Sequence, residues 1–121
     1  NYQARNFMRD TMAVGDGVLF CHSSCAEPGI VGLAQVASAA YPDATQFDPA
    51  SAWFDLKAQR DAPRWMHVDV RLQRKTRLLS LREMRSRPEL ATLRVLQAGN
   101  RLSITPVTAD EWRAVIALLG P

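Results

Sequence analysis

The sequence predicts an α+β domain, a small and mostly antiparallel β-barrel with flanking short helices. Three observations predict it. Runs of strand-like alternation recur at 18–23, 30–37 and 65–72. Helix signals are short and scattered between and after these runs, without the strand–helix–strand rhythm that a parallel sheet needs. No internal repeat or low-complexity tract interrupts the pattern, and 121 residues suit one domain over 1–121 with a real core. Small antiparallel barrels close their own edges, which makes them the natural architecture for several short strands.

The elements follow in order. Ala4, Phe7, Met8 and Met12 stand at helical spacing, so 3–13 reads as a short amphipathic helix with Arg5 and Arg9 on another face. Gly15-Asp16-Gly17 ends it in a turn. Residues 18–23 form a strand with Val18, Phe20 and His22 on one face and Leu19, Cys21 and Ser23 on the other. A turn at 26–29 leads into a second strand at 30–37, where Gly32 marks a bulge or a close backbone approach. Together they make an antiparallel hairpin.

From 42 to 63 periodicity is lost, and Phe47, Trp53 and Phe54 are set among small and polar residues. A loop of this length in a compact domain usually carries function. Residues 65–72 restore alternation, with Trp65, His67, Asp69 and Arg71 on one face and Met66, Val68, Val70 and Leu72 on the other. Ser80-Leu81-Arg82-Glu83 is a capping box that opens a short helix. Pro88 suits the first turn of another helix carrying Leu90, Leu93 and Leu96, with Gly99 as its stop. A strand is expected at 102–107. Thr108-Ala109-Asp110-Glu111 repeats the capping box, Val107 and Trp112 are placed as a hydrophobic staple, and Trp112, Val115, Ile116 and Leu119 give the last helix its buried stripe.

Fifteen lysines and arginines against twelve acidic side chains leave a net charge of +3, which permits a phosphate-bearing partner without demanding one. Arg71, Arg74, Lys75, Arg77, Arg82, Arg85 and Arg87 fall within seventeen positions, giving either a local positive field or a solvated helix face and strand end. Two cysteines, Cys21 and Cys25, could close only a very small loop, so free thiols in a reducing, cytoplasmic setting are expected. No apolar run is long enough for a membrane-spanning helix, and the first residues lack the zones of a signal peptide.

Catalytic signatures are scarce: there is no nucleophile elbow, phosphate-binding glycine loop, HExxH helix or paired-carboxylate segment. The competing catalytic reading is a small thiol- or metal-dependent hydrolase using His22 and Cys25, with Cys21 and His67 as further metal ligands. The spacing matches none of the paired zinc ligand patterns. Cys21 and His22, as neighbours on one strand, point to opposite faces. A protein-interaction module without base binding is a third reading.

The opening Asn1-Tyr2-Gln3-Ala4-Arg5-Asn6-Phe7 is richer in hydrogen-bonding groups than a helix start requires. Amide side chains both donate and accept, as reading a base edge demands, and a tyrosine ring offers a stacking face. This opening, followed by Val14-Gly15-Asp16-Gly17-Val18-Leu19-Phe20, His22-Ser23 and Pro28-Gly29-Ile30-Val31-Gly32-Leu33-Ala34-Gln35-Val36, resembles the EVE domain family. Tyr41-Pro42-Asp43, Phe47-Asp48-Pro49, Arg64-Trp65 with Val68-Asp69-Val70, Leu102-Ser103-Ile104 and Pro106-Val107-Thr108 extend the resemblance over nearly the whole chain.

The resemblance implies a PUA-like fold, related to YTH domains, and a non-catalytic reader that holds a modified base of DNA or RNA, such as methylated or hydroxymethylated cytosine, in a pocket on the barrel. It implies a base-binding pocket bordered by Asn1, Tyr2, Gln3, Arg5 and Asn6, with His22 and Ser23 as a polar strand end and Phe47 and Trp53 in the covering loop. Arg9, Arg64, Arg74 and Lys75 are the expected backbone-binding cations. No cofactor or metal is expected. The sequence departs from the family pattern at Cys21, where an aromatic is usual, and near Trp53 and Phe54, where tyrosines are frequent. The family also carries a strand, a Lys-Ser-Glu-Pro segment and a helix ahead of the Asn-Tyr-Gln motif. Without them an unpaired barrel edge is expected, completed by upstream sequence or by another copy in a homo-oligomer.

Overall fold

The computed structural model describes residues 2–23, 25–98 and 104–121. Its elements, in chain order, are α1 (Tyr2–Asp10), β1 (Gly17–His22), β2 (Gly29–Val36), β3 (Tyr41–Pro42), β4 (Met66–His67), β5 (Val70–Ser80), α2 (Leu81–Arg85) and α3 (Ala109–Leu119). The expected hairpin is present: β1 runs antiparallel to β2, with a register shift at Phe20/Cys21. The turn before it is shaped by Gly15, whose φ of +97° suits glycine, and Asp16 accepts from the Ala13 amide. β2 lies between β1 and β5 and is antiparallel to both. Its central place explains why Ile30, Ala34 and Val36 are all buried. Register shifts against β5 between Ile30 and Gly32, and a Cβ at Gly32 would crowd the Leu72 side chain at 3.1 Å, so the glycine serves both expected purposes.

The core forms where Ile30 and Leu79 of this sheet meet Met84 of α2, Leu90 and Leu93 of the following segment, and Val115 and Leu119 of α3. α3 is held at both ends. Thr108 accepts from the Glu111 amide while Glu111 accepts from the Thr108 amide, completing the capping box. At the other end Arg74 donates to the Gly120 carbonyl and Arg77 to that of Leu118, so two cations from β5 satisfy the negative end of the helix.

Several expectations are corrected. Among the described residues the strands form a three-stranded sheet and a separate two-stranded one, β3 with β4, and no closed barrel. The strand expected at 65–72 is divided at Val68 and Asp69 into β4 and the start of β5. β5 then continues to Ser80 through a polar run that carries no alternation. The helix expected from Pro88 is instead two three-residue 3-10 turns, Pro88–Leu90 and Arg94–Leu96. Residues 104–107 are not strand, while Gly99 and residues 101–103 lie outside the described residues. Only half of the first capping box forms: Ser80 accepts from the Glu83 amide, but the Glu83 carboxylate turns to Arg77.

Two predictions follow from this packing. Gly29 pairs with both His22 and Ser80, and a Cβ there would lie 2.6 Å from the Ser80 Cα, so the backbone itself must move. Gly29→Ala is expected to lower stability by about 1–3 kcal/mol, the usual penalty of overpacking, measured as a shift in the urea midpoint. Glu111 is buried and accepts from the Thr108 amide at 2.9 Å and the Thr92 hydroxyl at 2.6 Å; these bonds outweigh burial and hold its carboxyl below its ordinary value. Its unfolded pKa, about 4.3, is therefore the higher of the two. The stabilisation is complete above that value and is lost as pH falls through the lower folded value. Glu111→Gln is expected to be about 1–3 kcal/mol less stable than wild type at neutral pH, with the gap closing below the folded pKa in a pH series of urea melts.

Candidate functional site

The two-stranded sheet and the 43–67 segment enclose an open cavity of about 570 Å³. The segment is organised by Gln46, which is fully buried in a 3-10 turn, Ala44–Phe47. Its amide nitrogen donates to the carbonyls of Asp43 at 2.7 Å and Trp65 at 2.9 Å, and its oxygen accepts from the amides of Arg64 and Trp65, both at 2.9 Å. All four hydrogen-bonding positions of the side chain are filled. The Asp55 amide also donates to the Gln46 carbonyl, which pins the far side of the loop. One glutamine thus fixes Asp43, Asp55 and Trp65, three residues of the cavity wall.

The aromatic wall comes from Trp53, Phe54 and Trp65. Trp53 is 72% exposed, an unusual position for an indole. Trp65 is anchored. Its indole N–H donates to Asp55 at 2.9 Å, and its ring stacks on Tyr2 with centroids 5.1 Å apart and planes at 25°. Arg5 and Arg64 both stand over the Tyr2 ring, at 4.5 Å and 5.2 Å, and Arg5 donates to the Arg64 carbonyl. α1 therefore packs behind the cavity, against β4.

The polar edge is Asp43 and His67. Asp43 caps the 3-10 turn by accepting from the Thr45 amide at 3.0 Å and hydroxyl at 2.6 Å, and its other oxygen lies 3.0 Å from Nε2 of His67. Burial pushes the Asp43 carboxyl up, but the Thr45 bonds and His67 outweigh it and leave the pKa below the ordinary value. Tyr41 meets His67 edge-on at 5.8 Å and donates its hydroxyl to Asp69, a bond that, with burial, raises the phenol pKa.

Of the pocket residues expected from the sequence, Trp53 lines this cavity. Tyr2 and Arg5 form the layer behind Trp65. Gln3 lies exposed on α1, and Asn6, also exposed, accepts from Arg5 and Arg9. Phe47 lies under Arg60, 4.9 Å from ring centre to guanidinium. His22 and Ser23 stand at the end of β1 and are not among the lining residues, and Asn1 lies outside the described residues. His22 does meet Cys25, with Nε2 and Sγ 3.1 Å apart. His67, however, is engaged by Asp43, and no group of three or more histidine, cysteine, aspartate or glutamate side chains among the described residues is arranged to hold a metal.

Of the expected backbone-binding cations, Arg9 pairs with Asp10, Arg64 with Asp55, and Arg74 with the Gly120 carbonyl. Lys75 is exposed with no partner among the described residues, as are Arg71 and Arg85. Sequence reasoning missed Asp43, Asp55, Trp65 and His67 as lining residues. The alternation at 65–72 had already put Trp65 and His67 on one face.

Replacing Gln46 with leucine is expected to leave the Arg64 and Trp65 amides without partners, to take one of two bonds from each of the Asp43 and Trp65 carbonyls, and to destabilise the 43–67 segment by about 2–4 kcal/mol. Hydrogen exchange should show amides 46, 64 and 65 opening while those of the β1-β2-β5 sheet stay protected.

Comparison with known proteins agrees with this architecture. The EVE domain family matches residues 1–118. Thymocyte nuclear protein 1 of Homo sapiens is 40% identical over 126 residues, covering 98% of this chain and 56% of that protein, and the Gallus gallus protein is 40% identical, covering 98% and 52%. The chain thus spans about half the length of these relatives. Among solved structures, a Pseudomonas syringae protein superposes with a TM-score of 0.90 at 44% identity over 98% of this chain and 79% of that one. Human THYN1, crystallised in complex with DNA containing 5-methylcytosine, superposes with a TM-score of 0.90 at 39% identity over 100% of this chain and 75% of that one. With a family match over nearly its full length, relatives about 40% identical and a shared fold, this chain belongs to the EVE domain family.

Proposed function

We propose that the domain is a non-catalytic reader of nucleic acid that takes one modified base, such as a methylated or hydroxymethylated cytosine, into the cavity bounded by Trp53, Trp65, Asp43 and His67. The observation that carries this reading is the pairing of an exposed indole with a fixed polar edge on one open cavity. A flipped base needs an aromatic face to stack on and hydrogen-bonding groups at its Watson–Crick edge. The cavity of about 570 Å³ falls within the usual size of a ligand site. The complex of human THYN1 with 5-methylcytosine DNA supports DNA as the nucleic acid. RNA is the further partner in this reading, since stacking on an indole does not distinguish the two sugars.

Arg71, Lys75 and Arg85, exposed and without partners among the described residues, supply positive charge for the phosphate backbone. The exposed free thiols Cys21 and Cys25 suit a cytoplasmic setting. Among the described residues β1 and β5 are the outer strands of the three-stranded sheet, and β1 is the edge through which two copies would pair in a homo-oligomer.

Fluorescence anisotropy with a 5-methylcytosine oligonucleotide tests the reading. Trp53→Ala is expected to weaken binding about 5- to 150-fold, the loss of one base–aromatic stack. Lys75→Ala should weaken binding to all sequences alike and reduce the salt dependence by about one counterion. Equal affinity of wild type and Trp53→Ala would exclude this cavity as the base site.

A further inference from the structure

The cavity wall carries two carboxylates, and their hydrogen bonds separate their roles. Asp55 is fully engaged: one oxygen accepts from the Lys57 amide at 2.9 Å and the other from the Trp65 indole at 2.9 Å, while Nη1 of Arg64 lies 3.4 Å from each. Asp43 is not. Its Oδ1 accepts twice from Thr45, but its Oδ2 has His67 as its one partner among the described residues. A carboxylate offers about four lone-pair positions, so Oδ2 keeps one on the cavity edge. Beside it, Nδ1 of His67 also lacks a partner among the described residues, on a side chain 52% exposed.

We propose that Asp43 is the specificity-determining residue of this site, accepting a hydrogen bond from the exocyclic amino group of a pyrimidine and thereby selecting cytosine-type over thymine-type bases. The inference rests on the base-reader reading and adds which chemical group is read. The 4-position distinguishes the two bases: cytosine presents an amino donor there and thymine a carbonyl acceptor. An ionised carboxylate only accepts, so it bonds the first and repels the second. His67 holds Asp43 in place from the side and leaves its second ring nitrogen to the neighbouring ring positions. Asp55 fixes Trp65 and Arg64 and takes no part in the choice of base.

The comparison that isolates this contact keeps the 5-methyl group constant. Three single-stranded oligonucleotides would carry 5-methylcytosine, thymine or 5-methyl-2-pyrimidinone at one position. The last of these keeps the methyl, N3 and O2 of 5-methylcytosine and lacks only its amino group. Wild type is expected to bind the 5-methylcytosine strand about 5- to 150-fold more tightly than either of the others, the usual range of discrimination by a base-edge contact. Asp43→Asn keeps an acceptor for Thr45 and puts a donor where the carboxylate stood, so its ratio of 5-methylcytosine to thymine affinity should fall toward one.

Equal wild-type affinity for the 5-methylcytosine and pyrimidinone strands overturns the inference. So does an Asp43→Asn variant that keeps the wild-type ratio, or one that folds but binds neither strand. If that variant does not fold, by circular dichroism, the wild-type pyrimidinone comparison decides alone. Failure of wild type to bind any of the three strands overturns the base-reader reading itself, whereas tight binding of all three leaves that reading standing and removes the role of Asp43.

Discussion

The candidate site depends on one buried amide. Gln46 is the one buried residue of a segment whose apolar side chains are exposed or half-buried, and a chain of this kind is held largely by polar groups. Burying a primary amide is unfavourable unless all its donors and acceptors are matched. Here they are matched by the backbone of Asp43, Arg64 and Trp65, on both sides of the loop. The consequence is directional as well as energetic. A glutamine with all four positions filled has one orientation, so the backbones it touches have one relative placement. The loop can then present an exposed tryptophan without being mobile at its base.

A second layer transmits this order to the rest of the domain. Trp65 is bracketed by Gln46 through its backbone and by Asp55 through its indole, and its ring rests on Tyr2 of α1. Tyr2 and Arg5 of the opening motif therefore act as a buttress. Tyr2 and Arg5 contribute stacking and cation–π contacts at the back of the wall, where the energetic return is rigidity of the front. A site residue in sequence terms can thus be essential to a pocket without touching what the pocket holds.

This explains how much was legible in the sequence. The hairpin, the Gly15 turn and the Thr108 capping box were readable because each is specified by residues next to one another. β5 was half readable. Its polar continuation at 73–77 is strand because β2 pairs with it and because Arg74 and Arg77 reach the end of α3, contacts with no local signal. Leu90, Leu93 and Leu96 stand at a strict spacing of three, which fits a 3-10 turn as well as one face of an α-helix. The structure takes the former, with Leu90 and Leu93 in the core. Gln46 was invisible, since nothing in composition separates a bracketing glutamine from a solvated one. The same-face placement of Trp65 and His67 was visible from alternation, but their facing a cavity depends on the loop that Gln46 positions.

The charge arrangement completes the argument. For a protein of net charge +3, the proposed docking on phosphate gains little from carboxylates near the contact surface, because they repel the backbone they approach. Yet Asp43 and Asp55 both line the cavity. Each is held locally, Asp55 by its ion pair with Arg64 and the indole N–H, Asp43 by hydrogen bonds from Thr45 and by His67. Beyond a Debye length of about 8 Å the Asp55–Arg64 ion pair presents almost no field. Arg71, Lys75 and Arg85 remain unpaired at the surface among the described residues, so their charge dominates at long range. In the proposed function attraction and selection are thereby separated by distance: unpaired cations would act on any phosphate chain before contact, and the carboxylates only on a group already inside the cavity.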